Sequence, residues 1–256
     1  MSAHAFLQQL EALLNRIHET QLPAIQQAAA LAAASIAAGR MLHLFGAGHS
    51  ALPVMEAFPR IGGLVGFHPL IELPLSFNGQ VVGQMGLRQT AFLEKISGYA
   101  AQILANYDLT PQDSLLIFSH SGINALPVEM AVEGRKRGLA VIAVTSLAHS
   151  LAQVARHPAG RLCDNADVVI DNCAPEGDAL VEVSGLADKV ASGSTIAACM
   201  IMDAIVAETA RLLVAQGVAP LVYPSHNVAA GPEAEARLIA QEEQVLTAYR
   251  ALQRLL

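Results

Sequence analysis

The sequence predicts an α/β fold with a doubly wound parallel sheet flanked by helices, and three observations carry that prediction. Short, nearly continuous apolar runs, such as "LLIF" at 115–118 and "VIAV" at 141–144, read as strands buried on both faces. Helix-length patterns separate these runs, which is the alternation that builds βαβ units. Polar residues then collect where apolar runs stop, as in "LLIFSHSGIN" at 115–124, and the carboxyl ends of strands are where open α/β sheets place their ligands.

Residues 4–38 carry Leu7, Leu10, Leu13, Leu14 and Ile17 at helical spacing. Pro23 marks an expected break and Gly39 a stop, giving a helical hairpin or a kinked helix. "MLHLFGAGHSALPVMEAF" at 41–58 reads as strand, glycine turn and helix, with Ser50 at the N-cap and Pro53 in the first turn. The glycine-rich stretch 62–88 contains "LIELPL" as a short edge strand, and 89–106 continues as a helix. Ser114–Phe118 is the next strand, followed by a helix over "NALPVEMAVEGRKRG". "LAVIAVTS" and "ADVVIDN" are two further strands, and an alanine-rich helix spans 193–216 before Gly217. From Pro232 to Leu255 runs a charged amphipathic helix suited to packing on the domain or on a partner subunit. The expected organisation is therefore a helical segment at 1–40, the α/β domain at 41–217, and a loop and helix at 218–256.

Composition narrows the functions. The 256 residues are 53% hydrophobic and 14% charged, enough apolar content for a substantial core. A net charge of −7, with no tryptophan and no basic run longer than three residues, argues against nucleic acid as a partner. The opening "MSAHAFLQQLEALLNRIHET" lacks the basic-then-apolar order of a signal peptide, and every apolar stretch is interrupted before membrane-spanning length. The expectation is a cytoplasmic protein without membrane contact. Cys163, Cys173 and Cys199 lack metal-type spacing and are expected as free buried thiols.

Two turns hold the chemistry. At Gly46-Ala47-Gly48-His49-Ser50, and again at Ser119-His120-Ser121-Gly122, an apolar strand ends in small residues that open a helix. Helix N-termini present unpaired N–H groups and partial positive charge, so each turn suits an anion, with serine hydroxyls completing a cradle. A serine at an N-cap is common for stability alone, and one such junction is more often structural than functional. Two junctions with serines shift that balance towards a shared phosphate. A dinucleotide site is the competitor, since Ala51 fits the alanine form of the glycine fingerprint and Glu72 could serve as its acidic partner. The serine-rich second turn has no role in that reading.

The pair "FGAGHSA" and "IFSHSGIN", each closing an apolar strand, resembles the sugar isomerase (SIS) domain family of phosphosugar-binding proteins. The runs "PVEMAVEGRKRGLAVIAVTSLAHS" and "RHPAGRLCDNADVVIDNCAPEGDA" are similar to the uncharacterised UPF0309 subfamily, itself similar to phosphoheptose isomerase. The resemblance implies a flavodoxin-like arrangement of the sheet, and a homodimer or higher homo-oligomer. It places Ser50, Ser119 and Ser121 on a phosphate, with the backbone of Gly48 and Gly122 and the residues His49, His120 and Asn124 beside them. Asn124 stands where many members have threonine. Thr145 and Ser146 match a third loop, and Ser194 and Thr195 a further contact at the start of the long helix.

The resemblance leaves the reaction open among aldose–ketose isomerisation through an enediol, a lyase or etherase reaction, and phosphosugar sensing without catalysis. Isomerisation needs a base to move a proton between adjacent carbons and a donor at the carbonyl. Glu56, six residues after Ser50, is the expected base, although its helical phase lies about 120° from Ser50. The resemblance places the family's glutamate where Arg60 stands in this chain. His226, in a C-terminal segment that in several relatives completes a neighbouring subunit's site, is the expected acid. His68 and Glu72 are read as parts of a lid at 62–88, and His43 as a core residue. His149 and His157 flank a helix whose basic tail is expected to be solvated. Asp171, Glu176, Asp178 and Glu182 form either a solvated loop or the mouth of the site. No metal and no cofactor are expected, because the carboxylates lack histidines at ligand spacing. Sensors of this type carry a helix-turn-helix domain, and the 38 residues before Gly39 have too few cations and too little length for one, which favours an enzyme.

Overall fold

Burial on both faces of one sheet organises the chain. The computed structural model describes residues 2–57, 59–77, 86–225, 227 and 231–255. Five strands, β1 (Leu42–Gly46), β2 (Phe67–Leu70), β3 (Ser114–Phe118), β4 (Ala140–Thr145) and β5 (Val168–Asp171), pair in the order β2-β1-β3-β4-β5. Every pairing is parallel, with Leu42 opposite Ser114 and Ser114 opposite Ala140 in register. This is the flavodoxin-like order, whose strand sequence reverses between β1 and β3.

Period-two alternation divides the core. Leu116 and Phe118 of β3 face one layer, with Leu42, Leu44, Ile142 and Val144. Leu115 and Ile117 face the other, with Phe45, Val141 and Ala143. On the first face lie α1 (Ser2–Ala37), α2 (Leu52–Ala57) and α8 (Ser194–Ala215), and on the second α5 (Tyr99–Leu104) and α6 (Ala125–Lys136). Each fully buried leucine, isoleucine or phenylalanine contributes about 1.5–3 kcal/mol, which is why apolar residues dominate the strands.

Several expectations change here. Pro23 does not break α1, which runs unbroken through it. The proline is exposed, so the carbonyl that loses its N–H partner can be solvated. The edge strand is Phe67–Leu70 and not "LIELPL", whose residues Leu73–Ser76 form the short helix α3. The helix expected at 89–106 is two helices, α4 (Gly86–Leu93) and α5, parted at Gly98, which has φ +86°. An antiparallel hairpin, β6 (Ala179–Val181) with β7 (Val190–Ser192), was not anticipated; it follows β5 and leads into α8. After β4 comes α7 (Leu147–Ala152). The last helix, α9 (Pro232–Gln253), buries only Val245 among its described residues. The cysteines are free, but only Cys173 is buried, with Cys163 and Cys199 half-buried. No helix among the described residues is long and apolar enough to cross a membrane.

Candidate functional site

The reversal of strand order between β1 and β3 opens a crevice at their carboxyl ends, and both glycine turns line it. After β1 the chain makes a 3-10 turn, Gly48–Ala51, before α2. A Cβ on Gly46 would collide with the Ser50 carbonyl, so only glycine lets the turn fold back over the strand end. After β3, Ser119 Oγ accepts a hydrogen bond of 3.2 Å from the Gly122 N–H, so that N–H shapes the loop. The Ser119 N–H donates to the Val144 carbonyl and the Ser146 N–H to the His120 carbonyl, which pins the loop to the end of β4.

Two adjoining cavities share Ser50, Phe118, Ser119 and His120 as a common wall. One, about 120 Å³, adds His49, Asn172, Asp178, Ser194 and Thr195. The other, about 220 Å³, adds Ala47, Glu94, Ser121, Pro127 and His149. His120 sits between them with both ring nitrogens buried and without a hydrogen-bond partner among the described residues. Its ring lies 4.9 Å from that of His149. Burial pushes the His120 pKa down; Asp178 and Asp171 work against the shift and His149 adds to it. His149 Nδ1 accepts from the Gly177 N–H at 3.1 Å, which in the neutral ring places its proton on Nε2.

Asp178 shapes the smaller cavity. It adopts φ +68°, and its carboxylate accepts from the N–H groups of Gly193 and Ser194 and from Ser194 Oγ at 2.6 Å. The start of α8 therefore already has an anion on it, supplied by the chain itself. Of the other acidic residues near it in sequence, Asp171 accepts from the Leu147 and Cys173 N–H groups, Glu176 accepts from Gln153, and Glu182 pairs with Lys189.

Of the residues expected from sequence, His49, Ser50, Ser119, His120, Ser121, Ser194 and Thr195 meet at this crevice. Gly48, at φ +59°, and Gly122, at φ +61°, shape the two turns. Thr145 and Ser146 do not reach the crevice. Both have zero exposure, with Thr145 Oγ1 donating to the His120 carbonyl and Ser146 Oγ to the Ala174 carbonyl, so their hydroxyls serve the backbone. Asn124 lies at the N-cap of α6 with its amide spent on Glu94 and Arg156 rather than on an anion. Glu56 forms an ion pair of 2.6 Å with Arg60 and lines neither cavity. His226 lies outside the described residues. His68 is no lid residue, being buried on β2 against His43. His157 pairs with Glu129 away from the crevice. No group of three potential metal ligands occurs among the described residues.

Sequence reasoning passed over Glu94 and Asn172, and left Asp178 undecided. Asn172 directly follows β5, and its position could have been inferred from the strand alone. Glu94 arrives from a helix well before the serine loop, with no local signature.

A parallel sheet in this order, with serine turns at its reversal point, defines an α/β domain with a candidate anion-binding crevice at the carboxyl ends of its strands. The SIS domain profile matches residues 5–146, and the chain belongs to the SIS domain family, among its UPF0309 proteins. It is 36% identical to a UPF0309 protein of Listeria monocytogenes over 217 residues, covering 84% of this chain and 85% of the relative. With the UPF0309 protein of Streptomyces coelicolor the identity is 36% over 241 residues, 93% of this chain and 94% of the relative. Among solved structures, a phosphoheptose isomerase from Neisseria gonorrhoeae superposes with a TM-score of 0.53 at 14% identity, over 82% of this chain and 97% of the other. One from Francisella tularensis gives 0.51 at 15% identity, over 82% and 96%. These two likenesses are of fold.

Proposed function

We propose that the protein binds a sugar phosphate in this crevice and interconverts its aldose and ketose forms through an enediol. The observation that carries the reading is His120, whose two ring nitrogens face no partner among the described residues at the wall shared by both cavities, between serines from two different turns. A buried polar side chain without a partner costs stability, and a ligand that hydrogen-bonds to it recovers that loss. Ser50, Ser119 and Ser121 are the phosphate contacts in this reading, with His49, Ser194 and Thr195 towards the sugar. The serine hydroxyls can donate to phosphate oxygens, and the neutral imidazole can both donate and accept, which suits sugar hydroxyls. The working unit is a homodimer, and no nucleic acid or membrane takes part.

Thermal unfolding in the presence of phosphorylated and unphosphorylated forms of the same sugars tests this reading. A cognate sugar phosphate at 100 times its dissociation constant is expected to stabilise the fold by about 2.7 kcal/mol, with its unphosphorylated counterpart far weaker. Ser121→Ala is expected to weaken that binding by about 1–2 kcal/mol, roughly 5- to 30-fold, as loss of one hydrogen bond to a charged group requires. Equal binding of both sugar forms would remove the phosphate from the reading, and wild-type affinity in Ser121→Ala would remove Ser121 from the site.

A further inference from the structure

We propose that Glu94 is the general base of the reaction, with Asn124 and Arg156 as the residues that position it. The proposal rests on the isomerase reading above and supplies the proton-transfer group that reading lacks among the described residues. Glu94 lines the larger cavity together with Ser50, Ser119, Ser121, His120 and His149, and it is the only carboxylate on that wall among the described residues.

Its orientation follows from a one-way hydrogen-bond relay. Arg156 can only donate, and its Nη1 lies 3.0 Å from Asn124 Oδ1. The Asn124 amide nitrogen must then face the other way, where Nδ2 donates to Glu94 Oε2 at 2.7 Å. One carboxylate oxygen is thus held while the other accepts no hydrogen bond among the described residues. The backbone is fastened as well, since the Glu94 N–H donates to the Thr90 carbonyl and the Glu94 carbonyl accepts from the Leu126 N–H, both at 2.9 Å. These bonds join the end of α4 to the start of α6, so the carboxylate sits on a braced junction, as a base with fixed geometry requires.

The electrostatics suit the task. Glu94 makes no ion pair among the described residues. Burial raises its pKa above the ordinary glutamate value, and the Asn124 hydrogen bond and Lys95 pull it partly back. The titratable groups facing it across the cavity are His120 and His149. A carboxylate with a raised pKa binds the abstracted proton better than an ordinary one.

The step balances without a co-reactant. Glu94 takes the proton from C2 of a phosphorylated aldose, the C–H electron pair becomes the C1=C2 bond, and the carbonyl pair moves onto O1. The O2 proton passes to O1, the O2 electron pair forms the new carbonyl, and Glu94 returns its proton to C1. Nothing is oxidised, and the reverse order converts a ketose.

The test is deuterium incorporation from heavy water beside the carbonyl of ribulose 5-phosphate, fructose 6-phosphate or sedoheptulose 7-phosphate. Glu94→Gln keeps an oxygen that accepts from Asn124, so a structural role survives it and a base does not. Exchange is expected to fall 10²- to 10⁴-fold in Glu94→Gln while thermal protection by the same sugar phosphate stays within a few fold. In the wild type the rate should rise with pH through a limb above the ordinary glutamate range. Asn124→Ala should move that limb to higher pH, because removing a donor from a carboxylate disfavours its ionised form, and Arg156→Ala should move it less in the same direction. Exchange retained in Glu94→Gln, or abolished by Glu56→Gln instead, overturns the assignment and leaves the isomerase reading standing. Absence of exchange by the wild type with all three sugar phosphates overturns the isomerase reading itself.

Discussion

A methyl group on Gly122 would approach the Thr145 hydroxyl oxygen to 2.7 Å, at a backbone φ of +61°. Thr145 is fully buried and holds the His120 carbonyl, so it cannot swing aside. The glycine thus serves both the left-handed turn and the packing of the serine loop on β4. Gly122→Ala is expected to lower stability by about 1–3 kcal/mol. Urea unfolding should show a lower midpoint at unchanged slope, and the mutant should lose protection by sugar phosphate because Ser119 and Ser121 shift with the turn. An unchanged midpoint would mean that the loop relaxes freely and that its geometry is not fixed by Thr145.

At the scale of elements, β1, β2 and the start of β3 are tied by a buried polar network. Arg40 forms an ion pair of 2.6 Å with Asp113, whose carboxylate also accepts from the N–H groups of Met41 and Thr110. Burial alone would raise the Asp113 pKa, but its contacts with His43 and Arg40 hold it well below the usual carboxylate range. His43 Nδ1 lies 3.0 Å from His68 Nδ1, so one ring must donate and the other accept, which demands at least one neutral histidine. Burial first, and His43 second, lower the His68 pKa to about 4. The unfolded chain, with a histidine near 6.5, binds this proton more readily than the fold does between those values. Stability is therefore fully present above about pH 6.5 and declines as pH falls towards 4. Unfolding free energies from urea titrations at pH 7.5 and pH 5 should differ by about 2 kcal/mol from this group, and His68→Phe should flatten the difference. A slope unchanged in His68→Phe would assign the acid sensitivity elsewhere.

For the whole molecule, the apolar surface is the feature that a single chain leaves unexplained. Leu7 on α1, Val214 on α8 and Ile239 on α9 are each more than half exposed, and α9 buries only Val245 among its described residues. A long amphipathic helix so little covered by its own domain fits the homodimer proposed above. Sedimentation at micromolar concentration is expected to find twice the 26.8 kDa mass of the chain. Ile239→Glu should shift the equilibrium towards the single chain, and a wild-type protein sedimenting at 26.8 kDa would refute the dimer.

The layered sheet and the serine turn could be read from local pattern because their causes are local. A strand buried on both faces needs an unbroken apolar run, and Leu115–Phe118 provides one before Ser119 ends it. Helix type was also legible, but where the helices ended was not: α1 passes Pro23 because its exposed face can hydrate the freed carbonyl, and Gly98 divides a helix that the pattern joined. The same limit applies to hydroxyls at strand ends. Ser121 and Thr145 look alike in sequence, yet Ser121 faces a cavity while the His120 carbonyl takes up Thr145. Whether a polar group is free for a ligand depends on which distant backbone atom meets it, and that is decided by packing. Glu94 shows the same dependence, since its orientation comes from Asn124 and Arg156, 30 and 62 positions further along the chain. Only the folded contact between α4 and α6 brings that carboxylate to the serine loop, because a buried site is assembled from segments whose separation in the chain says nothing of their separation in space.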